Sequence, residues 1–480
     1  MRSIRRITKN TLALSTTSAI RIGLGMLLQV YVARRLGAGG LGKYAVVLAF
    51  ITIFQVVTEL GLPRLMIREL ARQCQPGRYF YGVVIMELGG AALAYGLLVA
   101  AVQVLGYKQD TSRALYIAGL SLFPYAVTSA CQACFQALER MELITGIETV
   151  SYATQLALAV GLLSTGHGVV ALGGVIVAGE MLAAALSLYL ALRLGFLWPT
   201  RFDLAFSRQL VRSVPSFFLL ALSVVVFSRL DIIMVSQFLG ERAAGVYNAA
   251  YLVVRAFSLL ITGYSDALYP ALSRLGGSGS AREQLSLAGH KALQYGLILA
   301  LPTAAGTAVL APELIRLIYH NGQYAGASFV LRLVAWEIIP FFVNAVLSRL
   351  LIASDLQWLS VRVAVVKLFA STVYYIALVP LFGLPGAAVA TVLATATGTG
   401  LNWRFIVRHV SPLNAGQLGL KPALATGVMA AALLALPAWG LGTMVAVGFV
   451  VYTGLLVGLR ALSAEDWLLL CQLIGYGRAR

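Results

Sequence analysis

Leu36-Gly37-Ala38-Gly39-Gly40-Leu41-Gly42-Lys43-Tyr44 closes one long apolar run and opens the next. Leu239-Gly240-Glu241-Arg242-Ala243-Ala244-Gly245-Val246-Tyr247 does the same 203 positions later. Both stretches read L-G-x4-G-x-Y. The glycines suit a tight turn that needs positive φ and close backbone approach. The tyrosine suits a membrane–water boundary. A turn of this kind between two apolar runs joins two membrane helices. Its recurrence at long range implies that the two halves are built alike.

The composition supports the same class. Of 480 residues, 60% are hydrophobic and 11% charged, where a soluble domain carries roughly 25% charged residues. The mean hydropathy is +0.86. Apolar runs of about 20 residues recur between residues 11 and 460, each long enough to cross a bilayer core of about 30 Å. No unbroken strand alternation is present, so the spanning element is the α-helix. The expected fold is an all-α polytopic membrane protein with about fourteen transmembrane helices.

The net charge of +18 would suggest nucleic acid in a soluble chain. Here most Lys and Arg fall in short loops, and no basic face interleaved with aromatics appears, so no nucleic-acid partner is expected. With the N-terminus placed in the cytoplasm, the cytoplasmic loops hold a roughly threefold excess of Lys and Arg over the opposite side. Both termini are therefore expected inside. Arg34, Arg35 and Lys43 run against this bias, beside the first glycine turn.

Residues 196–212 are the most polar internal connection and mark the boundary between halves. The expected organisation is an N-lobe at 1–200, a C-lobe at 201–410, two further helices at 411–460 and an amphipathic tail at 461–480. The Gly276–Ser280 stretch reads as a cytoplasmic loop within the second half. After the second expected helix, Arg64, Arg68 and Arg72 share one face at i, i+4 and i+8. This pattern predicts a basic interfacial helix beside anionic headgroups.

Catalytic signatures do not survive inspection. Gly37-x-Gly39-x-x-Gly42 with Glu59 downstream matches a dinucleotide fingerprint, but a membrane helix precedes it and the second copy lacks the middle glycine. There is no Walker A lysine, no H-E-x-x-H and no nucleophile elbow, so an enzyme, a cofactor and a metal are not expected. Cys131-x-x-Cys134 lies in an apolar helix with no second pair and reads as structural.

Charge inside the spans is the informative feature. Arg21, Arg229, Arg255, Arg332, Arg349 and Lys367 all fall within apolar runs, as do Asp231, Asp266, Glu59, Glu87, Glu180 and Glu337. Each costs roughly 2.5–3.5 kcal/mol at a helix centre even on the mildest scale. Such costs persist only where the groups face water, each other or a ligand, and a polar cavity between the halves meets all three conditions. Several arginines around one cavity would attract a phosphate or pyrophosphate, which Arg binds bidentately. For single residues the bland alternatives stay open: Arg21 or Arg349 snorkelling, or Arg229 pairing with Asp231. Asp231, Asp266, Glu59 and Glu180 are candidates for carrying a coupling H⁺ or Na⁺, against the simpler role of partner to an arginine. Pro124, Pro302, Pro340 and Pro380 interrupt spans, as hinges or as packing kinks.

Arg35-Leu36-Gly37 through Lys43-Tyr44, Glu59-Leu60-Gly61-Leu62-Pro63-Arg64 and Arg68-Glu69-Leu70-Ala71-Arg72 resemble the opening of Wzx-type oligosaccharide flippases, members of the MOP (MATE-like) exporter superfamily. Arg229-Leu230-Asp231 and Gly383-Leu384-Pro385-Gly386-Ala387-Ala388 extend the likeness over nearly the whole chain. The resemblance implies two pseudo-symmetric six-helix lobes in a MATE- or MurJ-like V around a cationic cavity. It implies translocation of an undecaprenyl-pyrophosphate-linked oligosaccharide across the bacterial inner membrane, as in O-antigen and lipopolysaccharide synthesis, beside polysaccharide polymerase and chain-length proteins. A lipid II flippase is the runner-up, and a multidrug antiporter or a non-transporting scaffold are the further alternatives.

Overall fold

The computed structural model describes residues 2–73, 76–195, 204–276, 281–320, 322–410, 412, 415–436 and 440–459. In the first half these form α1 (Arg2–Glu59), α2 (Leu62–Gln73), α3 (Pro76–Leu105), α4 (Gln109–Gly119), α5 (Leu122–Ala137), α6 (Met141–Ser164) and α7 (Val169–Arg193). There follow α8 (Leu204–Leu239), α9 (Glu241–Gly276), α10 (Ala281–Val309), α11 (Ala311–Tyr319), α12 (Ala325–Val334) and α13 (Ile338–Ala353). The chain continues through α14 (Gln357–His409), α15 (Ala415–Ala435) and α16 (Leu441–Gly458). No strand occurs among the described residues. The expected tail at 461–480 and most of the Gly276–Ser280 loop lie outside them.

Twelve helical stretches among the described residues are long and apolar enough to cross a membrane. Two of them, Ala19–Glu59 and Gln357–His409, are about twice the length that a single pass requires. Each breaks once, at Gly37 with φ 67° and at Gly383 with φ 64°. Counting each broken stretch as two passes gives fourteen, the number read from the apolar runs. Side chains such as Val104, Leu434 and Phe449 are 86%, 73% and 68% exposed. Surfaces of this kind are stable where acyl chains, not water, surround them.

Contacts divide the chain into two compact units. The first comprises residues 1–259, 318–327 and 364–390, and the second 260–317, 328–363 and 391–480.

In the first unit the two L-G-x4-G-x-Y turns meet. Gly37 and Gly240 carry the positive φ, 67° and 86°. Gly42 and Gly245 carry the close approach. A Cβ on Gly42 would overlap the Glu241 carbonyl oxygen and lie 2.8 Å from Gly245 N, while one on Gly245 would overlap the Ala38 carbonyl oxygen and lie 2.9 Å from Gly42 N. Residues 38 and 42 thus face 241 and 245 reciprocally, at the same offset of 203 that separates the copies in sequence. Residues 318–327 pack over this crossing. The Tyr324 hydroxyl donates to the Ala33 carbonyl at 3.1 Å and the Tyr319 hydroxyl to the Ala249 carbonyl at 3.0 Å. The two phenol rings stack with centroids 4.6 Å apart.

The three cations that oppose the charge bias each have a local partner there. Lys43 Nζ pairs with Asp110 at 3.0 Å, Arg34 donates to the Ile318 carbonyl at 2.6 and 2.9 Å, and Arg35 lies over the Tyr31 ring at 5.6 Å.

A helix forms over residues 62–73. Leu60 and Gly61, both at positive φ, turn the chain after α1, and α2 follows. Leu62, Leu65, Met66 and Leu70 are buried among Cys131, Cys134, Phe135 and Phe80. Arg64 and Arg68 are exposed, and the Arg72 side chain lies outside the described residues. Each fully buried Leu or Met contributes about 1.5–3 kcal/mol relative to water, so packing rather than the basic face holds α2 in place.

Candidate functional site

A recess of about 270 Å³ opens in the first unit between α1, α2, α5 and α6. One wall is a single face of α5. Tyr125, Ser129, Gln132 and Gln136 follow at spacings of four, three and four, so all project one way from an otherwise apolar helix. Their opposite face packs: Ala126 and Ala130 are 0% exposed. Alpha-1 supplies Arg21 and Glu59, and Pro63 of α2 and Ile144 and Glu148 of α6 complete the lining. Arg21 is exposed, so the recess is open on its side.

The polar groups are tied together. The Tyr125 hydroxyl donates to Glu59 Oε1. Gln132 bonds to Glu148, on which the Arg21 charge also acts. Behind the wall, the Ser129 hydroxyl donates to Glu87 Oε1 at 3.5 Å, and Glu87 is fully buried. Glu180 on α7 lies within electrostatic range of Glu148. The Tyr152 phenol is within range of Arg21, Glu148, Glu180 and Arg229 together, and so links the recess to the next cluster.

That cluster sits on α8 and α9. Arg229 lies within electrostatic range of Arg255. Arg255 lies over the Tyr251 ring at 5.0 Å, and Tyr251 stacks on Tyr247 at 5.9 Å. Arg229 Nε is buried without a hydrogen-bond partner. Asp231, 4% exposed, turns its Oδ1 to the Ile232 backbone N–H at 2.8 Å. No Arg229–Asp231 ion pair within bonding distance is formed among the described residues. Asp231 is within electrostatic range of both Arg255 and Arg229, and the Arg229 donor that remains unmet can take an anion's oxygen.

The remaining residues singled out from the sequence are spread over both units. Lys367 belongs to the first unit, its Nζ over the Phe227 ring at 3.8 Å. Arg332 and Arg349 belong to the second. There Arg332 is exposed, and Arg349 Nε donates to Ser265 Oγ at 3.1 Å. The Asp266 side chain lies outside the described residues. Sequence reasoning missed Glu148, Gln132, Gln136 and Tyr152. The signal for the glutamines was present, as the polar stripe along α5. Among the described residues no group of His, Cys, Asp and Glu has the geometry to hold a metal ion.

Comparison with known proteins gives the family. A model described as polysaccharide biosynthesis protein matches residues 7–276, and one described as lipid II flippase MurJ matches residues 156–458. The probable low-salt glycan biosynthesis flippase Agl15 of Haloferax volcanii is 22% identical, with 84% of each chain covered. The probable flippase AglR of the same organism is 23% identical, over 83% of this chain and 85% of that one. Among solved structures, lipid II flippase MurJ in an inward closed conformation superposes with a TM-score of 0.78 at 16% identity, covering 94% of this chain and 99% of its own. An inward-facing multidrug resistance MATE family transporter of the MOP superfamily gives 0.65 at 11% identity, covering 83% and 98%. These likenesses establish the fold, and the family models go further: the chain belongs to the polysaccharide biosynthesis protein family, among the flippases of the MOP superfamily.

Proposed function

We propose that the protein carries a polyprenyl-pyrophosphate-linked oligosaccharide, with undecaprenol as the carrier, from the inner to the outer leaflet of the cytoplasmic membrane. Two lobes, 1–200 and 201–410, alternate access to a headgroup site. Arg229 and Arg255 bind the pyrophosphate, and Arg21 attracts it at the open side of the recess. The observation that carries this reading is the buried Arg229 Nε left without a hydrogen-bond partner, within electrostatic range of Arg255. A buried guanidinium N–H left unpaired is costly, and a pyrophosphate oxygen supplies its partner. Arg332, Arg349 and Lys367 contribute further positive charge along the path.

The polyprenyl chain stays in lipid while the headgroup crosses. An inside-negative potential favours outward movement of an anion by roughly 2.3 kcal/mol per charge per 100 mV. Resetting the empty carrier then uses H⁺ or Na⁺, for which Glu59, Glu180, Asp231 and Asp266 are the candidates. Both termini lie in the cytoplasm, and the protein works beside polysaccharide polymerase and chain-length proteins.

The test is translocation of fluorescent lipid-linked sugar in proteoliposomes. Arg229→Ala and Arg255→Ala should each slow it at least tenfold, a loss of about 1.4 kcal/mol or more, with Lys recovering part of the rate. Unchanged rates in both alanine variants would sink the assignment. Lipid II is the second reading, favoured by the MurJ family match over residues 156–458. It shares the pyrophosphate and differs in the headgroup beyond it.

A further inference from the structure

We propose that the recess in the first unit is a saccharide subsite, which takes an uncharged, hydroxyl-rich sugar beside the pyrophosphate and disfavours a carboxylate-bearing one. The proposal rests on the pyrophosphate reading above and names the chemistry of the group attached to it.

Size is the first argument. At about 270 Å³ the recess falls below the roughly 300–1,000 Å³ of drug-sized pockets, and fits one sugar ring rather than an oligosaccharide.

The donors and acceptors are the second. Ser129, Gln132, Gln136 and Glu148 line the recess with hydroxyl, amide and carboxylate groups. Amides both donate and accept, and a carboxylate accepts from two hydroxyls at once. This is the complement of a ring carrying adjacent hydroxyl groups. Glu148 Oε2 is buried with no hydrogen-bond partner, so the wall has an acceptor still to satisfy.

Charge is the third argument, and it sets the selectivity. Glu59 and Glu148 line the recess, with Glu87 behind Ser129 and Glu180 beside Glu148, against Arg21 as the lining's cation. Arg64 reaches Glu59 electrostatically from α2. A uronate or a peptide carboxylate would have to sit beside the Glu59 and Glu148 carboxyl groups of the lining, where a neutral sugar brings no second acid.

Position is the fourth. Tyr152 lies within electrostatic range of Arg21 and Glu148 on the recess side and of Arg229 on the other. Tyr152 thus feels charge from both places, and on the proposed reading the first sugar of a lipid whose pyrophosphate is at Arg229 lies in the recess.

The experiment measures binding of three synthetic lipids to the full-length protein in nanodiscs: undecaprenyl diphosphate, its N-acetylglucosamine conjugate and its glucuronate conjugate. Wild type should bind the N-acetylglucosamine conjugate about tenfold tighter than the bare diphosphate, the effect of one or two hydrogen bonds. The glucuronate conjugate should bind no tighter than the bare lipid. In Gln136→Ala the advantage of the neutral sugar should fall toward unity. In Glu148→Gln the discrimination against glucuronate should shrink, because a charge is lost while the shape stays. Melting curves show that each variant is folded, and Gln136, half-buried and neutral, is the substitution least able to disturb packing. If wild type binds all three lipids equally, or if both variants keep the wild-type ratios, the subsite is refuted while the pyrophosphate reading stands. If wild type binds none of them, the pyrophosphate reading falls and takes the subsite with it.

Discussion

Gly42 and Gly245 each occupy ground that the other's chain denies to a side chain. The backbone of one motif copy is the wall against which the other is built. The requirement for glycine is therefore mutual and steric, distinct from the positive φ that Gly37 and Gly240 supply.

Substitution separates these roles. Gly42→Ala and Gly245→Ala should each destabilise the protein by about 1–3 kcal/mol, since the added carbon meets backbone that cannot rotate away. Gly39→Ala is the control: its Cβ would meet nothing within 4 Å. Thermal melting in detergent should show lower midpoints for the first two and an unchanged or higher one for the third.

The Tyr319–Tyr324 pair makes a second test. Each hydroxyl donates to a backbone carbonyl near one glycine turn, at 3.0 and 3.1 Å. Removing either hydroxyl as Phe keeps the ring stack and deletes one hydrogen bond, for a loss of about 0.5–1.5 kcal/mol. The double variant should lose about the sum. A wild-type midpoint in the double variant would show that residues 318–327 do not hold the crossing.

The Lys43–Asp110 pair should matter little. Asp110 is largely exposed, with 64% of its side chain accessible. Asp110→Asn should therefore leave the midpoint almost unchanged, read from the same melts. A larger loss would mean that the pair is shielded from solvent in the membrane.

Cys131 and Cys134 are 0% and 1% exposed and unlinked. In the folded protein neither should react with a membrane-permeant maleimide, whereas denaturation should expose both. Mass spectrometry of labelled peptides checks this. Prompt labelling of native protein would show that the α2–α5 packing opens.

Much of the fold was legible because apolar run length and glycine position are local signals. The breaks at Gly37 and Gly383 follow from residue type alone. That the two motif copies touch was not legible, since a repeat in sequence carries no information about distance in space. One expected span, 114–137, is divided: α4 ends at Gly119 and α5 begins at Leu122, with Leu120 and Ser121 donating back to Ile117 and Ala118. Gly119, Pro124 and an apolar stretch on either side concealed that turn. Residues of the candidate site were legible as intramembrane charges, but their grouping was not. Arg255 on α9 acts electrostatically on Arg229 on α8, while Arg332 and Arg349 fall in the other unit. Charge along a helix fixes neither its facing nor its neighbours. The neutral stripe on α5 escaped notice because glutamines in an apolar helix incur a smaller penalty than charges.

Helix α5 has one further consequence. Its alanine face, with Ala126 and Ala130 at 0% exposure, is seated against its neighbours with no slack. Rolling the helix would lift those methyl groups from contact, and close-packed interiors resist such gaps. The glutamine side is thereby held in one attitude before any cargo arrives. On the proposed reading, selection at that wall works by pre-set shape, and movement takes place at the ends of such helices rather than along their flanks.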